Sequence, residues 1–103
     1  MLRLLVKTAK KSPRKEKHAT ALIRGGSIVS IECNLQHRHS EHRALAKIWP
    51  NKRKGLKFIN IRIRPDGNIG LSMPCPKCRK MLVEFGIREG KYSTENGFVE
   101  IKL

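Results

Sequence analysis

The chain is poor in acidic residues, aromatics and cysteine, and it has no long apolar run. Eight Asp and Glu stand against 23 Lys and Arg in 103 residues, a formal net charge of +15. Such a surface attracts phosphate-bearing partners, because each neutralised phosphate releases condensed counterions, although charge alone does not separate DNA, RNA and nucleotides. The bland alternative is a solvated basic surface kept for solubility. Aromatics make up only 5%, and Trp49, Phe58, Phe85, Tyr92 and Phe98 fall mostly where core residues are expected, so few platforms for base stacking are foreseen. Three cysteines, an odd number, argue against a disulfide framework and for a reducing, cytoplasmic setting. No stretch suits a secretory core or a membrane span. The basic start "MLRLLVKTAKK" reads as an ordinary first helix more readily than as a targeting segment.

Length and a 39% hydrophobic content suit one globular domain over residues 1–103, with a modest core that makes a homo-oligomer plausible. Leu2, Leu5, Val6 and Ala9 share one helical stripe. Two β-rich runs, 19–24 and 27–33, flank Gly25-Gly26 as a hairpin. Glu41, Ala44, Leu45 and Ile48 stand at i, i+3, i+4 and i+7, with Pro50 as the stop. "LKFINIRIR" alternates, placing Ile59, Ile61 and Ile63 on one face. Cys78, Met81, Leu82 and Phe85 form a third helical stripe that Gly86 ends. "IREGKYST" and "FVEIKL" are two strands around Asn96-Gly97. The predicted order is helix, two strands, helix, strand, helix, two strands, without internal repeats. A linker of about three residues is too short for a parallel crossover, so the last two strands pair antiparallel.

The chemistry lies in "MPCPKCRKML" and "CNLQHRHSEHRAL". Cys75 and Cys78 read as a disulfide, a redox pair, half of a structural zinc knuckle, or two ligands of a catalytic metal. With Cys75 as helix cap and Pro76 in the first turn, both sulfurs sit at the positive end of a helix dipole, which favours thiolate. Cys33, His37, His39 and His42 cluster in the other segment, and this favours a metal. In a closed site Cys33 and one histidine complete four ligands; in an open site one histidine and two cysteines leave a position for water. Glu41 decides for the open site, because a structural metal has no use for a carboxylate on an apolar stripe beside it. Its alternative role is a first-turn glutamate favoured by the helix dipole.

His39-Ser40-Glu41 followed by Pro74-Cys75-Pro76-Lys77-Cys78 resembles the H-x-E and P-C-x-x-C signature of zinc-dependent nucleobase deaminases, and the predicted element order resembles the cytidine-deaminase fold. The resemblance implies an α/β three-layer sandwich with a five-stranded mixed sheet and about three helices. It implies Zn2+ held by His39, Cys75 and Cys78, with Glu41 as the catalytic acid and base. It implies substrate contacts from Asn34, which ends the second strand, and from Ser72 and Pro74, which lead into the cysteines. Cys33 becomes a small buried residue, and His37 and His42 become surface groups or phosphate helpers. Ser40 replaces a common alanine, and "RPDGNIGLSM" is longer than the usual passage into the cysteines. Antiparallel closing strands are more similar to the nucleoside branch and to some toxin-like or virus-borne deaminases than to the tRNA adenosine branch, which implies cytosine as the base. The implied activity is hydrolytic conversion of cytosine to uracil. The basic residues around the motifs favour a nucleotide or single-stranded DNA or RNA over a neutral nucleoside, with no membrane role. The alternatives are a zinc-stapled binding module and a catalytically silent, zinc-containing nucleic-acid-binding protein of the same fold.

Overall fold

In the computed structural model, which describes all residues except Gln36, His37 and Arg53, helix α1 (Leu2–Ala9) is followed by strands β1 (Lys17–Arg24) and β2 (Ser27–Cys33). Helix α2 (Ser40–Ala46), a short 3-10 turn (Pro50–Lys52), strand β3 (Lys57–Ile63) and the two-residue strand β4 (Ile69–Gly70) come next. Helix α3 (Pro76–Glu84) and strands β5 (Glu89–Thr94) and β6 (Gly97–Lys102) complete the chain. The sheet runs β2-β1-β3-β5-β6, with β4 pairing antiparallel to the end of β3. It therefore has six strands where sequence predicts five. β4 escapes prediction because two residues are too few to show a period.

Period-two alternation explains the layers. In β1, Ala19 and Ala21 join Ile61 and Ile63 of β3 under Leu5 and Ala9 of α1. The opposite face of the same strands carries Leu22 and Phe58, which pack with Ala44, Leu45 and Ile48 from α2 and its C-terminal end and with Leu82 of α3. The result is an α/β three-layer arrangement of mixed strand direction. The α2 stripe is buried from Glu41 to Ile48, whereas each of the other two fails at one end: Leu2 is 47% and Phe85 40% exposed. Each is the outermost residue of its stripe, beyond the reach of the sheet.

Strand direction positions the functional residues. β1 is antiparallel to both β2 and β3, so β2 and β3 run parallel, and β3 and β5 also pair parallel. Parallel strands need crossovers, and α2 and α3 supply them on one face. Each crossover helix starts near the end of the strand before it, which brings the N-termini of α2 and α3 to the same end of the sheet. The two helices also touch.

α3 stops at a Schellman motif: Ile87 N–H donates to Leu82 O at 2.9 Å, and Gly86 N–H to Val83 O at 3.0 Å. Gly86 adopts φ of +84°, the left-handed conformation that this motif asks of its C′ residue. β5 and β6 pair antiparallel from Glu89 opposite Lys102 to Thr94 opposite Gly97, as the short linker requires. Among the described residues no helix is long and apolar enough to cross a membrane.

Candidate active site

His39 is the N-cap residue of α2, in extended conformation, and its side chain makes no capping bond. Its ring turns to α3 instead, with Nδ1 3.2 Å from Cys78 Sγ and 3.8 Å from Cys75 Sγ. Cys75 caps α3, its sulfur accepting from Cys78 N–H at 3.5 Å, and Pro76 occupies the first turn, where a missing N–H costs nothing. The three side chains offer one nitrogen and two sulfurs within 4.8 Å of one another. Imidazole and thiolate donors at this spacing suit a tetrahedral zinc site. All three cysteines are free.

Cys33 stands outside this group. It is buried near Arg43, whose guanidinium donates to Cys33 O at 2.6 Å and approaches its sulfur at 3.7 Å. Among the described residues the donor set therefore has three members, the open arrangement. His42 is exposed on α2, while His37 and the expectation attached to it lie outside the described residues.

At Cys78 the helix dipole does not produce the thiolate expected from sequence. Burial pushes its thiol well above the ordinary cysteine range, and the Glu41 carboxylate adds to the effect. Desolvation outweighs the dipole when no cation is present. A cation reverses that balance, since metal binding releases ligand protons.

Glu41 is 6% exposed and lies beside the Cys78 thiol. Ser40 Oγ donates to its Oε1 at 3.2 Å, and Asn60 Nδ2 donates to its Oε2 at 3.0 Å. Asn60 is held in turn by Thr20, its partner across the β1–β3 ladder, whose hydroxyl donates to Asn60 Oδ1 at 2.7 Å. The same amide nitrogen also donates to Ser72 O at 3.2 Å. Ser72 Oγ accepts from Ser93 N–H at 2.7 Å and lies 2.8 Å from Ser93 Oγ. No buried side-chain nitrogen or oxygen among the described residues lacks a partner, so this polar layer is held in one arrangement.

Sequence reasoning missed Thr20, Asn60 and Ser93. The available signal was parity: with Ile59, Ile61 and Ile63 facing α1, Asn60 must face α2, where a buried amide needs partners.

Above the polar layer opens a cleft of about 280 Å³ lined by residues that include Asn34, His39, Glu41, Ser72 and Cys75. Asn34 Oδ1 accepts from His18 N–H and its Nδ2 donates to Glu16 O, both at 2.9 Å. Pro74 is buried between the lining residues Met73 and Cys75. Arg14 and Arg38 add cations to the wall, Glu16 an anion, and Leu35 and Met73 apolar surface. Burial lowers the His18 proton affinity, with Glu41 opposing the shift. Glu16 is held below the usual carboxylate range by its hydrogen bond from Arg62, at 2.7 Å.

A solved structure of cytidine deaminase from Mycobacterium leprae superposes with a TM-score of 0.64 over 95% of this chain and 87% of that one. The fold is cytidine-deaminase-like. Sequence identity to that enzyme is 19%, so the likeness is one of architecture. No family model and no curated protein matches the sequence. The cytidine-deaminase-like architecture nevertheless agrees with the element order read from the sequence, apart from β4.

Proposed function

We propose that the chain is a zinc-dependent hydrolytic deaminase that converts cytosine to uracil in a nucleotide or single-stranded nucleic acid. The observation that carries this reading is the inward carboxylate of Glu41 beside the three-donor group at the end of a cleft. His39, Cys75 and Cys78 would hold the ion. Bound zinc supplies hydroxide at neutral pH, by lowering the pKa of water from about 15.7 to about 7.

In this reading Glu41 is the general acid and base. Its carboxylate takes one proton from water and passes it to the ring nitrogen, then carries the second proton of the same water to the amine as the C–N bond breaks, so that cytosine and water give uracil and ammonia. Ser40 and Asn60 fix the carboxylate through one bond to each oxygen, which keeps it from swinging away between transfers. Asn34 spends one amide hydrogen and one lone pair on the backbone and retains one of each for a sugar or base. Ser72 lines the same wall, and Pro74 fixes the backbone between Met73 and Cys75. Arg14 and Arg38 give the cleft an affinity for phosphate that a neutral nucleoside would not exploit.

Ammonia release from cytidine, deoxycytidine, their monophosphates, and single-stranded DNA and RNA, with adenine counterparts, tests the proposal. Turnover of a cytosine substrate that disappears in Glu41→Ala is the expected result. Silence across the panel by zinc-loaded protein would overturn it in favour of a catalytically inert binding protein.

A further inference from the structure

Trp49 is the chain's single tryptophan and is 78% exposed. The core position suggested by sequence is wrong for this residue: Ile48, the last residue of the α2 stripe, is buried in the core, and Trp49 beside it is left on the surface. Phe58 and Tyr92 are buried as expected. One exposed apolar side chain is ordinary by itself; the cationic setting of this indole is what points to a ligand.

The loop that follows is cationic. Lys52 and Lys54 are exposed, and the sequence carries no acidic residue between Glu41 and Asp66. The loop is also held in place. Lys52 N–H donates to Trp49 O at 2.8 Å, closing the 3-10 turn. Arg24, at the end of β1, donates from Nε to Lys54 O at 3.2 Å and from Nη2 to Lys52 O. Those acceptors are neutral carbonyls, so the guanidinium keeps its full charge beside the loop. The surface thus pairs an exposed aromatic side chain with three cations.

We infer that Trp49, with Lys52, Lys54 and Arg24, is a binding site for single-stranded nucleic acid, the indole stacking on a base and the cations taking the flanking phosphates. A base offers the π-face and the strand offers the charge, and this combination defines single-strand sites. A second copy of the chain would bring its own excess of +15 to the same patch, so charge complementarity favours a polyanion. The patch lies past the C-terminal end of α2, whose other end carries His39 and Glu41. Seven helical residues span only about 10 Å, so one short strand reaches both places.

The lone tryptophan makes the site directly readable. Titrating the zinc-loaded protein with oligo(dT) or oligo(rU) of about 12 nucleotides, within known single-strand site sizes, is expected to quench its fluorescence saturably. Heparin, a polyanion without bases, is expected to leave it unquenched. With a dye-labelled oligonucleotide, Trp49→Ala is expected to weaken binding about 5- to 150-fold, with Trp49→Phe recovering most of the loss. Replacing Lys52 and Lys54 by alanine is expected to reduce the salt slope by about one per lysine.

Equal quenching by heparin, or unchanged oligonucleotide affinity in Trp49→Ala, would overturn the inference. So would self-association without nucleic acid that Trp49→Ala abolishes, because the cover would then be a second copy. The site stands apart from the deaminase proposal: strand binding through Trp49 without ammonia release from any substrate retires the reaction and keeps the surface.

Discussion

Asn60 Nδ2 donates to Glu41 Oε2 at 3.0 Å, joining the central strand of the sheet to the carboxylate beside the three-donor group. Asn60 bonds to Thr20, Glu41 and Ser72, so its influence on a reaction passes through Glu41. A buried hydrogen bond to a charged group is worth about 1.5–3 kcal/mol. Asn60→Ala is therefore expected to lower kcat about 10- to 150-fold, with little change in KM. Zinc content measured by atomic absorption stays at the wild-type value, and a loss of zinc in this variant would contradict the assignment.

Glu41 and the donors should separate cleanly. Glu41→Gln is expected to retain zinc and lose at least a hundredfold in turnover, within the range assigned to general acid–base catalysis, about 10²–10⁴-fold. Cys75→Ser and Cys78→Ser are expected to lose zinc. Cys33→Ser is expected to keep it, since Cys33 lies outside the donor group. Zinc loss from Cys33→Ser would restore the closed, structural arrangement.

His18 predicts a pH dependence of stability. Burial lowers its pKa from the ordinary 6.5, with Glu41 partly opposing the shift. Between the lowered value and 6.5 the unfolded chain binds a proton that the folded chain refuses, so this contribution to stability is present above pH 6.5 and is lost as pH falls through that window. Urea unfolding at several pH values should show a steeper acid-side decline for wild type than for His18→Gln. Identical slopes would remove His18 as the cause.

Gly90 faces β3 at close range. A Cβ added there would stand 2.3 Å from Phe58 O and 2.4 Å from its ring. Neither the ladder backbone nor a fully buried ring can withdraw, so Gly90→Ala is expected to cost about 1–3 kcal/mol or more. A shift in the urea midpoint measures it, and an unchanged midpoint would place β5 further from β3 than the structure has it.

The sequence made the two helix starts legible for local reasons. Pro76 marks a first turn, the spacing of Glu41 from Ala44 and Leu45 marks a buried stripe, and the fold then brings His39 to the cysteines. What lay hidden needed three dimensions. Asn60 looks like any polar residue of an alternating strand until its partners Thr20 and Ser72 are known. Trp49 looks like core because it follows an apolar stripe, and only the structure shows that burial stops at Ile48 and leaves its neighbour outside. Leu2 and Phe85 fail for a related reason, since periodicity says which side a residue faces but not how far the opposing surface extends.

The parallel course of β2 and β3 has a bearing on maturation. The imidazole and the thiols belong to different crossovers, 36 residues apart from His39 to Cys75, so a chain with only one crossover docked owns no full donor set. Uptake of the ion would thus report that both crossovers have docked, and the loaded ion would rivet two segments that otherwise meet only through weak, non-covalent side-chain contacts.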